Sequence, residues 1–466
     1  MFYELDTGIF YYFNGVWKKV SSKVQLENTG PSGTIEITEN GTVDVTDYDY
    51  ADVNVPGVIP TGTLPITENG NVNVTNYASA EVDVDYVTVN FDLPEFVKIT
   101  PTVLSQARSG LAATTVGNYA LFGGGIGDSY TRYATVDAYD QALTRTTPTV
   151  LSQARSRLAA TTLGNYALFG GGSNNNSDVS TVDAYNTSLT RTTPTALSQA
   201  RNQLAATTVG NYALFGGGDS YGSTVDAYDT SLTRTTPTAL SKSRWHLAAT
   251  TVGNYALFGG GYNGSSYFST VDAYDASLTR TTPTVLSQAR SGLAATTVGN
   301  YALFGGGKRD GNFRRSTVDA YNTSLTRTTP TELSQARDQL AATTVGNYAL
   351  FGGGGTPTTF YSSVVDAYNT SLTRTTPTAL SQRMGSLAAT TVGNYALFGG
   401  GDYYYSSYSY FSTVGAYSPG NYNVQVFPGT KYSFNGGPES TSSTWQTINV
   451  SGKLVGYMKV KNTTLN

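Results

Sequence analysis

The stretch LAATTVGNYALFGGG, from Leu111 to Gly125, recurs almost letter for letter through most of the chain. Its copies are spaced 47, 46, 43, 46, 47 and 47 residues apart. They begin at Leu111, Leu158, Leu204, Leu247, Leu293, Leu340 and Leu387. A period in the forties is the length of one four-stranded blade of a β-propeller, so seven copies predict an all-β, seven-bladed propeller.

Each copy predicts four strands, which we name A to D. Strand B carries apolar residues on both faces, as expected of a strand that a neighbouring blade covers on each side. Strand D contains Pro148, which an edge strand tolerates because the missing N–H faces solvent. We therefore place strand A innermost and strand D outermost. In the first copy the strands are expected at Leu111–Val116, Tyr119–Phe122, Thr135–Tyr139 and Leu143–Thr149.

The seventh copy lacks a strand D of its own. It runs through strand C at Thr413–Tyr417 and is not followed by the LTRTTPT motif that ends the other copies. A lone FVKITPT, Phe96–Thr102, precedes the first copy and aligns with LTRTTPT position for position. We expect this segment to supply strand D of the last blade, which closes the ring and removes an open sheet edge. The propeller is thus predicted to span residues 96–418.

The repeat resembles the kelch family of β-propellers. The shared marks are a basic residue before strand A, the glycines that close strand B and a tyrosine in strand C. One mark differs, because LTRTTPT stands where kelch repeats usually carry a tryptophan in strand D. The resemblance implies that ligand surfaces are built from the connections between strands B and C and between strands D and A.

The segments on either side of the propeller predict smaller β units. Residues 1–95 carry 15 acidic and 3 basic side chains, a net charge of −12, which leaves +8 for the remainder. Residues 1–30 predict a hairpin around Asn14-Gly15, and residues 31–90 contain two short repeats that begin at Gly33 and Gly62. These two repeats resemble segments in tail and other virion proteins of phages that infect Gram-positive and gut bacteria. The resemblance implies an attachment module, and residues 421–466 predict a further small β module.

The sequence also indicates where the protein acts. The first residues lack the basic and apolar regions of a secretory signal, and no stretch approaches the roughly 20 apolar residues of a membrane span. We therefore expect a virion protein that is made in the host cytoplasm and exposed on the particle surface, without membrane insertion.

All length variation among the repeats falls between strands B and C. These inserts contain 5 to 11 residues. A second variable patch lies just before strand A, in the D–A connection. In an up-and-down blade both connections lie on one face of the disc, which we call the variable face. The inserts read IGDSYTRYA, SNNNSDVS, DSYGS, YNGSSYFS, KRDGNFRRS, GTPTTFYSS and DYYYSSYSYFS, from blade 1 to blade 7.

The inserts are rich in Tyr, Ser, Gly, Asn and Arg, which is the mixture found in antibody-type binding surfaces. The alternative is that these loops are polar and simply tolerate change. The longest insert places five tyrosines together and predicts the largest aromatic contact surface. The candidate ligand-binding residues are Tyr130, Arg132, Tyr133, Arg157, Asn175, Asp178, Tyr221, Trp245, His246, Tyr262, Asn263, Tyr267, Phe268, Arg309, Phe313, Arg314, Phe360, Tyr361, Tyr403, Tyr404, Tyr405, Tyr408 and Tyr410.

An arginine also recurs before strand A, with Arg383 shifted by one position in the seventh copy. A ring of guanidinium groups could hold an anionic ligand. We favour a bracing role for them, because they repeat with the scaffold. Asp137 and Arg145 are expected to pair across strands C and D, whereas the last blade has Gly415 opposite Lys98. The recurring arginines are Arg108, Arg155, Arg201, Arg244, Arg290 and Arg337.

Composition argues against catalysis. The chain has no cysteine, and His246 is its one histidine, so neither a histidine metal cage nor the copper site of kelch-fold oxidases can be built. The acids expected on the variable face are isolated ones, Asp128, Asp178, Asp219 and Asp310, and do not match a calcium-loop spacing. We predict no catalytic residue, no cofactor and no metal site. The alternative is that these acids bind a Ca²⁺ ion.

Together these features predict a phage adhesin of the tail-fibre type. Its propeller would bind a bacterial cell-surface glycan or protein receptor, and its N-terminal modules would contact other virion proteins. Nucleic acid is not an expected partner, and the sequence is compatible with homo-oligomers. The alternatives are a structural or decoration protein of the virion and a polysaccharide hydrolase on the same fold.

Overall fold

The computed structural model describes residues 96–219, 222–310, 313–357, 360–404 and 406–419 in full, and backbone strands on either side of them. The chain divides into two compact units. One is Phe96–Pro419, and the other combines Met1–Glu95 with Gly420–Asn466.

The first unit is the predicted seven-bladed β-propeller of four-stranded antiparallel sheets, each in the strand order A-B-C-D. The strands A are Ala112–Val116, Ala159–Leu163, Ala205–Val209, Ala248–Val252, Ala294–Val298, Ala341–Val345 and Ala388–Val392. The strands B are Tyr119–Gly123, Tyr166–Gly170, Tyr212–Gly216, Tyr255–Gly259, Tyr301–Gly305, Tyr348–Gly352 and Tyr395–Gly399. The strands C are Val136–Tyr139, Val182–Asn186, Val225–Tyr228, Val271–Tyr274, Val318–Asn322, Val365–Asn369 and Val414–Pro419. The strands D are Arg145–Thr146, Arg191–Thr192, Arg234–Thr235, Arg280–Thr281, Arg327–Thr328, Arg374–Thr375 and, for blade 7, Phe96–Ile99.

The outer strand is much shorter than the predicted Leu143–Thr149, because a turn occupies its beginning. The Asp140 carboxylate accepts hydrogen bonds from the N–H groups of Ala142 and Thr144 at 3.0 and 2.8 Å. Leu143 between them adopts a φ of 63°. Pairing with strand C therefore begins only at Arg145 and stops before Pro148, which has no N–H to donate.

The N-terminal closing strand is confirmed. Phe96–Ile99 pairs antiparallel with strand C of blade 7, with Lys98 opposite Tyr417. In blade 1 the same register places Arg145 opposite Tyr139. The ring is thus closed by hydrogen bonds between its first and last strands.

Neighbouring blades pack through a cluster of buried apolar residues, in which one contact joins a glycine to a phenylalanine. The glycine that ends strand B leaves room for the phenylalanine ring of the next blade, and a Cβ atom on Gly123 would lie 2.8 Å from Phe169. The same contact joins blade 7 to blade 1, because a Cβ atom on Gly399 would lie 2.9 Å from Phe122. The glycine that follows Gly123 has a φ of 70°, which L residues rarely adopt.

An ion network lies inside each of blades 1 to 6. The Arg108 guanidinium donates to the Asp137 carboxylate at 2.7 Å and to the Phe122 carbonyl at 3.1 Å, and the Arg108 and Asp137 side chains are fully buried. Arg145 reaches the other oxygen of Asp137 at 2.9 Å, as predicted. In blades 1 to 5 the inner pair lies 2.6–2.8 Å apart. The recurring arginines therefore brace the blade and are not available to a ligand.

Blade 7 replaces this network. Met384 is buried at the position of the inner arginine, Gly415 stands at the aspartate position, and Arg383 is exposed. The Lys98 ammonium donates to the Ala379 carbonyl at 2.7 Å instead of pairing with an acid. Replacing a buried ion network by apolar groups is often neutral or stabilising, which is consistent with its loss from one blade.

The second unit contains short strands from both ends of the chain. A three-stranded antiparallel sheet is formed by Phe2–Glu4, Ile9–Phe13 and Trp17–Lys19. The two short repeats contribute the pairs Ser32–Glu36 with Tyr50–Asn54 and Thr61–Ile66 with Ser79–Phe91, which are parallel. The C-terminal strands are Asn421–Val426, Lys431–Tyr432, Ser440–Thr441, Gln446–Ser451 and Leu454–Lys461.

The two ends of the chain share a sheet within this unit. Leu454–Lys461 pairs antiparallel with Ser79–Phe91, so residues 421–466 are not structurally separate from the N-terminal repeats. In the part of the chain that is described, no helix is long and apolar enough to cross a membrane.

Candidate functional site

A ring of seven residues surrounds the propeller axis on the variable face. Each lies directly before the leucine that opens a repeat, and we call the ring the collar. The N–H of each collar residue donates to the carbonyl of the collar residue in the preceding blade, at 2.7–3.1 Å. The series closes where the Gly110 N–H donates to the Ser386 carbonyl at 3.0 Å. The collar consists of Gly110, Arg157, Gln203, His246, Gly292, Gln339 and Ser386.

All seven collar residues adopt a left-handed backbone conformation, with φ between 52° and 66°. This conformation suits glycine and costs other L residues about 1–2 kcal/mol each. Two collar positions are glycine, yet five carry a side chain in spite of this cost. The cyclic hydrogen bonds hold the backbone, and the side chains differ from blade to blade.

The collar encloses a depression of about 540 Å³. Its floor is the ring of seven leucines that follow the collar, each 7% exposed. Its polar lining includes collar side chains and Asp402, the first residue of the seventh insert. Tyr130, Tyr361, Tyr408 and Tyr410 line the side formed by blades 6, 7 and 1. The site therefore combines an apolar floor, a polar rim and an aromatic wall.

Asp402 is the buried acid of this site. It is 7% exposed, its Oδ1 atom has no hydrogen-bond partner in the described part of the chain, and burial raises its pKa to about 6. A hydrogen bond from Ser109 opposes this shift without cancelling it. This oxygen is therefore open to a donor from water or from a ligand.

The other ionisable collar residues are Arg157 and His246. Desolvation, with the nearby Lys308 and Arg157, lowers the pKa of His246 to about 4, so its imidazole is neutral at pH 7. Arg157 is exposed and lines the depression. The collar thus presents one cation among neutral hydrogen-bonding groups.

Each insert is braced by the next blade. In all seven blades the last insert residue accepts a backbone hydrogen bond from the following D–A connection, at 2.7–2.8 Å, as Ala134 does from Leu151. Side chains add to this bracing, and adjacent loops therefore form one continuous, preorganised surface. The side-chain contacts join Arg132 to Asn175 at 2.9 Å, Asn202 to Asp178 at 2.6 Å and Arg314 to Asp338 at 2.7 Å.

The seventh insert forms a hairpin, Asp402–Tyr404 paired with Tyr408–Tyr410, rather than an irregular loop. The rings of Tyr404 and Tyr408 lie 4.8 Å apart, and those of Tyr408 and Tyr410 are stacked at 6.0 Å. Tyr403 contacts Tyr361 of the sixth insert at 5.2 Å between ring centroids. We call Tyr361, Tyr403, Tyr404, Tyr408 and Tyr410 the aromatic ridge.

A second aromatic group lies on blade 4. Trp245 packs against Tyr262 with ring centroids 5.5 Å apart, and Tyr262 lies 4.6 Å from Tyr267. A smaller cleft of about 480 Å³ lies between this insert and the fifth, lined by Tyr267, Arg309 and Asp310 among others. Phe313 of the fifth insert is 65% exposed.

The structure places the predicted residues in three groups. Those that line the depression are Tyr130, Arg132, Arg157, His246, Tyr361, Tyr408 and Tyr410. Those elsewhere in the inserts and the D–A connections are Tyr133, Asn175, Asp178, Trp245, Tyr262, Asn263, Tyr267, Phe268, Arg309, Phe313, Arg314, Phe360, Tyr403 and Tyr404. Tyr221 and Tyr405 lie outside the described residues.

Sequence reasoning did not single out five polar residues of the depression, Ser109, Gln203, Gln339, Ser386 and Asp402. The signal for the first four was present, because the two residues before each repeat leucine vary from blade to blade. Among the described residues, no group of three or more His, Cys, Asp or Glu side chains is placed to hold a metal ion.

Comparison with known proteins identifies no family. No protein-family model matches the sequence, and no curated protein matches it. Among solved structures, the chain is similar to the structure of YjhT, at 13% identity and a TM-score of 0.49. That similarity covers 60% of this chain and 99% of YjhT. The propeller assignment therefore rests on the seven sheets themselves.

Proposed function

We propose that the chain is a phage virion adhesin whose variable face binds a bacterial surface receptor, a glycan in the first instance. One observation carries this proposal: the sequence differences among otherwise repeated blades gather on one face, where the collar and inserts form a single preorganised surface. Unselected drift would have altered both faces of the disc alike.

The chemistry of the face supports a glycan. Exposed tyrosines offer flat apolar surfaces with a hydroxyl at the edge, which suits the C–H faces of sugar rings. Amide and guanidinium groups of the collar offer hydrogen bonds to sugar hydroxyls. The kelch-like repeat and the phage-like N-terminal repeats support the adhesin context by resemblance. Display of many copies on a particle would raise the avidity of weak individual contacts.

A second candidate is a structural or decoration protein of the virion. The exposed rings of Phe313 and Phe360, at 65% and 54%, favour it, because exposed phenylalanine is typical of protein contacts. In that case the variable face would be covered by other virion subunits.

The test is cell staining by the labelled full-length chain on a panel of Gram-positive and gut bacteria. We expect a subset of strains to be stained. In a matched variant, all inserts are replaced by the DSYGS of blade 3, and we expect staining to fall at least tenfold while the propeller stays folded. Staining that survives this replacement would contradict the proposal. A virion map in which other subunits bury the face would favour the second candidate.

A further inference from the structure

Asp402 differs from the other buried aspartates of the propeller. Eight aspartate side chains are buried among the described residues, and seven of them have a lysine or arginine partner. Six belong to the ion networks inside blades 1 to 6, and the seventh, Asp338, pairs with Arg314. Within the described residues Asp402 has no such partner, although it is as buried as an interior residue. Buried charges in proteins are normally paired, so Asp402 is the exception that calls for an explanation.

The backbone holds Asp402 at the edge of the axial depression. Its N–H donates to the Gly385 carbonyl and its carbonyl accepts from the Gly385 N–H, both at 2.9 Å. The Ser109 side chain donates to the carboxylate, but Oδ1 accepts no hydrogen bond in the described part of the chain. The carboxylate thus lines the depression with one oxygen able to accept a hydrogen bond from a ligand.

Four tyrosines share this side of the depression with Asp402, namely Tyr130, Tyr361, Tyr408 and Tyr410. Burial and the charge of Asp402 raise the pKa of Tyr361 to about 12, and burial and Asp402 are also the two largest causes that raise the pKa of Tyr410. Both rings therefore lie within electrostatic reach of the carboxylate. Aromatic faces attract cations, most strongly where water is excluded. An acid among aromatic rings is the combination that recognises an ammonium group.

We propose that Asp402 and these tyrosines bind a primary ammonium group, carried by an amino sugar or an aminoacyl substituent of the bacterial glycan. This inference rests on the proposed function and names the chemical group that the axial depression recognises. The ammonium group donates a hydrogen bond to Oδ1 of Asp402 and supplies the positive charge that the other buried aspartates receive from arginine or lysine. A sugar hydroxyl or amide can make the same hydrogen bond but brings no charge.

The basic groups of the lining do not neutralise Asp402. Arg132 donates to the Asn175 side chain at 2.9 Å, and Arg157 belongs to the collar on blade 2. Neither is among the groups that shift the pKa of Asp402. His246 is neutral at pH 7, because desolvation lowers its pKa. A cationic ligand therefore meets no competing cation of the described chain at Asp402.

The probes are three methyl glycosides that differ at one position. Methyl glucosaminide carries an ammonium group, methyl N-acetylglucosaminide a neutral amide and methyl glucoside a hydroxyl. Alanine methyl ester carries the ammonium group without a sugar, and it distinguishes an aminoacyl substituent from an amino sugar. Ligand-observed NMR titration of the full chain at pH 7 measures the dissociation constant of each probe.

The test variant is Asp402→Asn, which keeps the size of the side chain and removes its charge. The matched control is Asp229→Asn, which makes the same change in the turn between strands C and D of blade 3, on the opposite face. Asn186 of blade 2 already makes the hydrogen bonds that Asp229 makes, so the control is compatible with the fold. Thermal unfolding verifies that both variants are folded.

We expect at least one amine to bind the unmodified protein about tenfold or more tightly than the two neutral glycosides do. Asp402→Asn should lose that preference, and Asp229→Asn should keep it. Tighter binding of methyl glucosaminide than of alanine methyl ester would indicate an amino sugar, and the reverse an aminoacyl substituent. Equal binding of amines and neutral glycosides, absence of amine binding, or an unchanged preference in Asp402→Asn would overturn the inference.

Cell staining separates this inference from the proposed function. Chemical acetylation of the amines on stained cells should abolish staining by the full chain, and mock-treated cells should stay stained. Staining that survives acetylation would overturn the inference and leave the adhesin proposal standing. Absence of staining on every strain, with the amine preference intact, would count against the proposed function alone.

Discussion

Two rings of residues surround the same axis only two positions apart in each repeat. The inner arginines, represented by Arg108 in blade 1, recur in six blades and are fully buried. The collar, represented by Gly110, holds five residue types in seven blades and opens on the depression. Both rings are held by hydrogen bonds in every blade that has them. The difference teaches that side-chain identity is constrained by what the side chain touches, not by how firmly its backbone is held.

The arginine ring is constrained because each guanidinium group has a buried carboxylate as its partner. The collar is constrained mainly in its backbone, since its side chains line the depression and have no shared partner.

The largest effect is expected from Asp319→Ala in blade 5. The variant leaves Arg290 buried without its carboxylate, and breaking such a pair costs about 3–5 kcal/mol. We expect the free energy of unfolding, measured in urea, to fall by about that amount. The control is Arg290→Met with Asp319→Gly, which copies blade 7 and should lose much less. Equal losses in the two variants would show that the ion pair is not what the blade requires.

Asp402 shares a feature with each ring, because it is buried like the inner arginines yet belongs to the variable face like the collar. Its pKa is raised to about 6 from 3.8, so the folded protein holds the proton more tightly than the unfolded chain does. This group therefore lowers stability as the pH rises from 4 to 6, by up to about 3 kcal/mol. Asp402→Asn should stabilise the protein at pH 7 and have little effect at pH 3.5. A stability difference that is independent of pH would refute this reading of Asp402.

A smaller effect is expected from Gly259→Ala, at the contact between blades 4 and 5. A Cβ there would lie 2.7 Å from the Phe304 ring, and overpacking typically costs about 1–3 kcal/mol. The backbone φ is ordinary, so the loss reports packing alone. Adding Phe304→Leu should restore part of the stability in urea unfolding. If the double variant is no more stable than Gly259→Ala, ring contact is not the cause.

The smallest effect is expected from Gln339→Gly in the collar. Relief of the left-handed conformation is offset by the greater freedom of glycine in the unfolded chain, so we expect a change in the free energy of unfolding within about 1 kcal/mol. Gln339→Val should be clearly less stable, because a β-branched residue fits this conformation poorly. Thermal unfolding of the two variants side by side measures the difference.

The blades were predictable because their signals are local. A period in the forties, the paired turn at Gly117-Asn118 and the glycines after Phe122 all lie within one repeat. The closing strand was predictable because FVKITPT matches a motif that blade 7 lacks. Strand D was predicted too long, since the turn that shortens it depends on hydrogen bonds made by the Asp140 side chain.

The sequence by itself determined the seven blades, their closure and the face on which the differences gather, because each of these follows from period and strand order. Tertiary structure alone decided the collar, the depression and the burial of Asp402. These features join residues some 46 positions apart in the chain, in seven blades at once. No single repeat signals that Gly110, Gln203 and His246 share one backbone conformation. It arises only when the ring of hydrogen bonds closes around the axis.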